Sequence, residues 1–253
     1  MIMINTGHLR SAFSYSLWVL LLILLVGGIA STGFFEKPPA GTDWAPPTML
    51  AVSALLVLMY IGLRGVVGLI VGGLIGFGAE LIGVSTGFPF GGYEYTNVLG
   101  WSILKVPIAL IAAWILVISF TACTASMLKL RFRASMVFAP FFLVIIDLCL
   151  EPVATGSLNA WSWHSSAIEY AYYGVPLTNF VGWFLVGFLA FLPVVGTVPR
   201  QTFFAFLPGA LVIAFFVVVN LVERHTFGAL SGLTVLVIGV YGLLRRNRNI
   251  LSG

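Results

Sequence analysis

The sequence predicts an all-α fold, a polytopic transmembrane helix bundle of about eight spans, and three observations carry that expectation. The 253 residues are 60% hydrophobic and only 8% charged, with a mean hydropathy of +1.09, far outside the range of water-soluble domains. Apolar stretches recur at the length of one bilayer crossing, about 20 residues. Basic residues gather at the ends of those stretches, as topology signals do, rather than over a surface suited to nucleic acid.

Taken in order, the spans fall at about 12–33, 47–63, 65–83, 101–127, 135–154, 177–198, 203–222 and 227–244. The first follows Arg10 and reads as a retained span rather than a cleaved leader. Only the region of Arg64 separates the second from the third, so seven spans is the competing count. Residues 1–253 read as one integral-membrane domain, without an internal repeat. Glycines Gly68, Gly72 and Gly76, four residues apart, predict close helix packing in the third span. With eight spans, one side collects Arg10, Arg64, Lys129, Arg131, Arg133, Arg200, Arg245, Arg246 and Arg248, against Lys37, Lys105 and Arg224 on the other. That bias predicts a multi-pass protein of the cytoplasmic membrane with both termini in the cytoplasm.

Cys123 and Cys149 lie inside predicted spans and read as small core residues. Three scattered histidines, His8, His164 and His225, do not make the ligand set of a membrane di-iron oxygenase. Two aspartates, Asp43 and Asp147, do not make a magnesium-diphosphate motif. The glycines after Gly73 do not form a dinucleotide fingerprint. We expect no cofactor and no metal. Acid-base chemistry by carboxylates in an apolar, aromatic cavity remains, or transport.

The carboxylates are unusually placed. Asp147 and Glu151 stand four residues apart near the end of the fifth span, on one helix face. Ionised groups are costly in hydrocarbon and normally face a protein interior or a wet cavity. Pro152 follows Glu151 and cannot donate an amide hydrogen, which exposes a carbonyl or turns Glu151 toward a cavity. Glu80 ends up near the same membrane face. So do two loops: Ser85 to Asn97, holding Phe88, Phe90, Tyr93, Glu94 and Tyr95, and Thr155 to Asn179, holding Trp161, Trp163, His164, Glu169, Tyr170, Tyr172 and Tyr173.

Two ordered motif regions resemble a known family. The run Thr86-Gly87-Phe88-Pro89-Phe90-Gly91-Gly92-Tyr93-Glu94-Tyr95-Thr96, with Leu99-Gly100 and Val106-Pro107, is similar to the signature of the integral-membrane carotenoid 1,2-hydratases. Asp147 to Pro152, followed by Tyr172-Tyr173-Gly174-Val175-Pro176-Leu177-Thr178-Asn179-Phe180 and Gly182-Trp183, is similar to the same family, and the likeness covers roughly residues 50–245. The family acts on γ-carotene-type or bacterioruberin-type precursors. The resemblance implies a cofactor-independent hydro-lyase of carotenoid biosynthesis that adds water across the terminal C1,2 double bond of an acyclic end group, giving a tertiary alcohol. The basic composition favours a bacterial γ-carotene or lycopene-type substrate over a haloarchaeal one.

That chemistry needs a proton on the less substituted carbon, a tertiary cation, and capture by water. A carboxyl group in an apolar site holds its proton near neutral pH, and a second carboxylate can deprotonate the attacking water. The catalytic candidates are Asp147 as donor, Glu151 or Glu94 as base, and Glu80 in reserve. Substrate-contacting candidates are Phe88, Phe90, Tyr93, Tyr95, Trp163, His164, Tyr172, Tyr173 and Asn179, whose aromatic faces suit a cation. The expected partners are a carotenoid and the lipid bilayer, with contact to other membrane enzymes of the pathway and no nucleic acid. The rival readings are a membrane carotenoid cyclase or isomerase, and a small-molecule or lipid transporter using the same acids as a proton relay.

Overall fold

The computed structural model describes residues 6–33, 40–164, 171–198 and 203–251. Among these residues eight helices follow one another as α1 Thr6–Gly33, α2 Ala45–Tyr60, α3 Leu63–Thr86, α4 Ala109–Met127, α5 Phe132–Thr155, α6 Leu177–Phe191, α7 Phe203–Val222 and α8 Thr226–Leu251. Six are long and apolar enough to cross a membrane, whereas α2 and α6 are shorter apolar helices. The chain is thus a polytopic helix bundle. The doubtful boundary near Arg64 is a real break: Ile61 is extended and Gly62, extended too, caps α3. Pro46 and Pro47 sit in the first turn of α2, where no amide hydrogen bond is lost.

The fourth span begins later than its hydropathy suggests. Residues 101–108 are apolar enough to read as helix, yet Ser102–Ile103 (β2) and Val106–Pro107 (β3) form an antiparallel hairpin, and α4 starts at Ala109. Hydropathy cannot separate a short apolar strand from the end of a span. The sixth span likewise ends at Phe191 rather than 198.

Contrary to the sequence reading, the chain contains a repeat. A unit built from α3, strand β1 (Tyr93–Tyr95), the β2–β3 hairpin and α4 recurs as α5, strand β4 (Trp161–Trp163), the hairpin β5 (Ala171–Tyr172)–β6 (Val175–Pro176) and α6. Each first helix ends on Thr-Gly, at Thr86-Gly87 and Thr155-Gly156. Each hairpin turns on two residues of positive φ, Leu104 and Lys105 in one, Tyr173 and Gly174 in the other. Each closes on Val-Pro and runs into a helix in which Val-Pro, six residues, then Trp-x-Leu-Val recur, at Val106 to Val117 and Val175 to Val186. The units are joined by β1 pairing antiparallel with β4, Tyr93 opposite Trp163 and Tyr95 opposite Trp161. The matching tryptophans Trp114 and Trp183 stack with centroids 4.6 Å apart. Both features are what a local two-fold axis between the units produces.

Small residues let the units close. A Cβ at Gly68 or Gly72 would overlap the backbone carbonyls of Pro193 or Ala190, and one at Gly76 would overlap the Trp114 indole. These are the close contacts expected of the four-residue glycine spacing. α2 and α7 complete the bundle against α4, while α1 packs on α2 and α7. The loops between α3 and α4 and between α5 and α6 share one end of the bundle, with the α7–α8 turn beside them; Arg64, Lys129, Arg131 and Arg133 stand at the other end.

Candidate active site

α5 continues as helix through Pro152 to Thr155. A proline at that position leaves the carbonyl of Leu148 without its helical donor. The Tyr172 hydroxyl supplies one at 2.9 Å, from the β5–β6 hairpin. The next carbonyl, of Cys149, accepts from Asn220 Nδ2 at 2.8 Å. The end of α5 is therefore held from outside, with Asp147 and Glu151 on its inner face, each only 1% exposed.

Glu151 is an acceptor at both oxygens. Oε2 takes the indole N–H groups of Trp161 and Trp163, each at 3.2 Å, and Oε1 takes Asn179 Nδ2 at 3.1 Å. The same amide nitrogen donates to Asp147 Oδ2 at 2.7 Å. Asp147 Oδ1 is buried without a partner among the described residues. In the other unit, Glu80 Oε2 accepts from the hydroxyls of Tyr93 at 2.5 Å and Tyr95 at 2.8 Å, and Oε1 accepts from Trp114 Nε1 at 3.3 Å. Burial, above all, pushes both phenols well above the usual tyrosine range, so they keep their protons. In each unit the acid is held by the aromatic pair of its own strand. Alternation along the strand sends both aromatics to the same face.

Glu80 and Glu151 line a single cavity of about 120 Å³, together with Phe90, Tyr93, Tyr95, Trp114, Trp161, Trp163, Asn179 and Trp183. Leu110, Ala113, Val117 and Phe120 extend its wall along one face of α4, over about 15 Å at the helical rise per residue. Gly209, Val212, Ile213 and Phe216 of α7 face them, and Pro46, Met49 and Leu50 close the side next to α2. No Lys, Arg or His is among these lining residues. The two acids are held by hydroxyl, indole and amide dipoles.

The structure brings together Glu80, Glu151, Phe90, Tyr93, Tyr95, Trp163 and Asn179 of the residues expected from the sequence. Asp147 stands behind Asn179 and does not line the cavity. Glu94 is exposed on the outer side of β1, because strand alternation turns it away from Tyr93 and Tyr95. Phe88 and His164 are exposed as well, while Tyr173 lies against His225 and Tyr172 serves α5. Glu169 and Tyr170 lie outside the described residues. Sequence reasoning missed Trp114, which sits inside an apolar run that reads as plain span, and noted Trp183 only as part of the second family-like motif, not as a site residue. The signal that exposes them is the repeated Val-Pro and Trp-x-Leu-Val spacing.

Phe90 shows how the loop is seated. It is 1% exposed, between Gly83 of α3, where a Cβ would come within 2.9 Å of its ring, and Gly182 of α6, where it would come within 2.6 Å. The Phe90 carbonyl accepts from Thr178 Oγ1 at 3.1 Å, and Thr96 binds the backbone of residues 159 and 160. Both loops thus close on the cavity as one piece.

A bisanhydrobacterioruberin hydratase from Haloarcula japonica is 30% identical over 128 residues, covering 47% of this chain and 41% of that protein. The matched stretch therefore spans less than half of that relative's length. No solved structure matches the chain. The family model described as carotenoid biosynthesis protein matches residues 47–240, from α2 through most of α8. The chain belongs to the carotenoid biosynthesis protein family.

Proposed function

We propose that the protein is a carotenoid hydratase, adding water across the terminal C1,2 double bond of an acyclic carotenoid end group. The observation that carries this reading is the pair of buried carboxyl groups, Glu80 and Glu151, lining one aromatic cavity with different hydrogen-bond partners. Indole and amide N–H groups only donate, so the surroundings of Glu151 fit a carboxylate. Tyrosine hydroxyls can donate or accept, so Glu80 keeps its partners in either protonation state.

The proposed step gives Glu80 the role of acid and Glu151 that of base. Glu80 places a proton on C2 of the double bond, and the electron pair leaves C1 as a tertiary cation between aromatic faces. Water attacks C1 as Glu151 removes one of its protons, so that the product carries the elements of one water. Return of the proton from Glu151 to Glu80, directly or through solvent, restores the starting state. The proposal moves the donor from Asp147 to Glu80 because Asp147 does not reach the cavity wall. Asp147 instead orients the Asn179 amide that binds Glu151. The natural reservoir for the substrate is the membrane; a reporter fused to the C-terminus tests its proposed cytoplasmic placement.

The test is product mass in cells that make an acyclic carotenoid. Hydration adds one water, cyclisation or isomerisation adds none, and transport leaves the pigment unaltered. A product of unchanged mass, or full hydration by both Glu80→Gln and Glu151→Gln, overturns the proposal.

A further inference from the structure

The two hairpins of the repeat share a backbone plan but not a setting. In β5–β6 the turn is docked: the Tyr173 ring lies edge-on to His225 at 4.9 Å, and Tyr172 reaches the Leu148 carbonyl. In β2–β3 the turn is Leu104–Lys105, with φ of 49° and 69°. Water-facing turns of this kind favour Asn-Gly or Asp-Gly, because a branched side chain is strained at positive φ. Leu104 is nevertheless 79% exposed, and Trp101 at the base of the hairpin 89%. A strained residue that also offers an apolar side chain outward is hard to explain in water. In an apolar medium the second burden disappears.

The base of this hairpin adjoins the cavity wall, and Gly100 there faces Pro47 of α2. Val106, Leu99 and Leu110 pack with Phe77 and Ala160 in a small cluster separate from the main core. Leu99, Leu110 and Ala160 also line the cavity, as do Pro46 and Met49 from the first turns of α2. Parting Leu99 and Gly100, at the base of the hairpin, from Pro46, Pro47 and Met49 would open the cavity on its α2 side. On the neighbouring α3, Leu74 and Ile82 are outward-facing and exposed, so the apolar surface of the spans continues up to the hairpin. Lys105 follows Leu104 and has the reach to place its ammonium at headgroup level.

We propose that the β2–β3 hairpin inserts Trp101, Ile103 and Leu104 into the interfacial layer of the bilayer, and that an apolar chain dissolved in the lipid enters the cavity between the base of this hairpin, at Leu99 and Gly100, and the first turns of α2. The insertion stands on the hairpin alone; the identity of the entering chain rests on the proposed hydratase reading. Full-length Leu104→Cys, labelled with an environment-sensitive fluorophore, is reconstituted in phosphatidylcholine vesicles with and without acyl-brominated lipid. Cys123 and Cys149 are buried and do not compete for label. The expected result is blue-shifted emission quenched by brominated lipid, against water-like emission from the same label at Glu94→Cys. Water-like, unquenched emission at position 104 overturns the insertion. For entry, the double variant Trp101→Ser, Leu104→Asp raises the apparent KM for carotenoid supplied in vesicles and leaves kcat unchanged. An unaltered KM overturns the route. A wild-type protein without hydratase activity refutes the functional reading instead, and the fluorescence result stands independently of it.

Discussion

In the unit from α3 to α4, Glu80 receives two phenol hydroxyls and one indole; in the unit from α5 to α6, Glu151 receives two indoles and one amide. The backbone plan is common to both, and the strand's aromatic-x-aromatic pattern supplies two donors each time. The residue types on that plan differ. Tyr93-Glu94-Tyr95 gives partners that can reverse their hydrogen bonds, whereas Trp161-Ser162-Trp163 gives partners that cannot. A duplicated scaffold thus yields two unlike acid sites facing one cavity. The helices add a further asymmetry: Gly76 lies four residues before Glu80 and admits the Trp114 indole, while Asp147 lies four residues before Glu151 and binds Asn179.

The comparison is most severely tested at the acids themselves. Glu80→Gln and Glu151→Gln are each expected to lower hydrated product by about 100-fold or more, the usual range for a lost acid or base. The double variant is expected to be little worse than either single one, since the residues act as a unit. Chromatography of pigments with mass detection checks this, and additive losses would break the pairing. Tyr95→Phe removes one reversible partner from Glu80 and is expected to cost about tenfold in kcat/KM, the size of one hydrogen bond to a charged group. Asp147→Asn is expected to change the pH profile of turnover more than its maximum, because it alters the neighbour of Asn179 and not the cavity wall.

Two further variants address the scaffold. Gly182→Val would place its Cβ within 2.6 Å of the Phe90 ring, an overpacking expected to cost about 1–3 kcal/mol in thermal unfolding in detergent. Tyr172→Phe strands the Leu148 carbonyl beside Pro152 and is expected to cost about 1 kcal/mol, with turnover near wild type. A large loss of turnover in Tyr172→Phe would show that the second hairpin, like the strands, belongs to the site.

Much of this was legible in the sequence, and what was hidden was hidden for physical reasons. Apolar length and the basic residues at span ends are strong signals, so the helices emerged near their true places. Alternation of eight helices then put Glu80, Glu151 and both loops at one end. The strand between them was not seen, and without its period of two Glu94 was indistinguishable from its aromatic neighbours. Phe88 and His164 share the loops without sharing the cavity, because loop membership does not fix side-chain direction. Trp114 was concealed by hydropathy, which scores an indole as one more apolar residue. The repeat, a pattern in spacing rather than in composition, marks it by matching it with Trp183 of the second motif region.

Four of the seven tryptophans, Trp114, Trp161, Trp163 and Trp183, line the same cavity. Indole emission responds to the polarity of its surroundings and to a nearby absorber. The protein therefore carries its own optical gauge of occupancy. Filling the cavity with a polyene should dim and shift the intrinsic fluorescence in a titration that needs no label, and Trp183→Phe would remove one of the four emitters without touching the hydrogen bonds to Glu80 or Glu151.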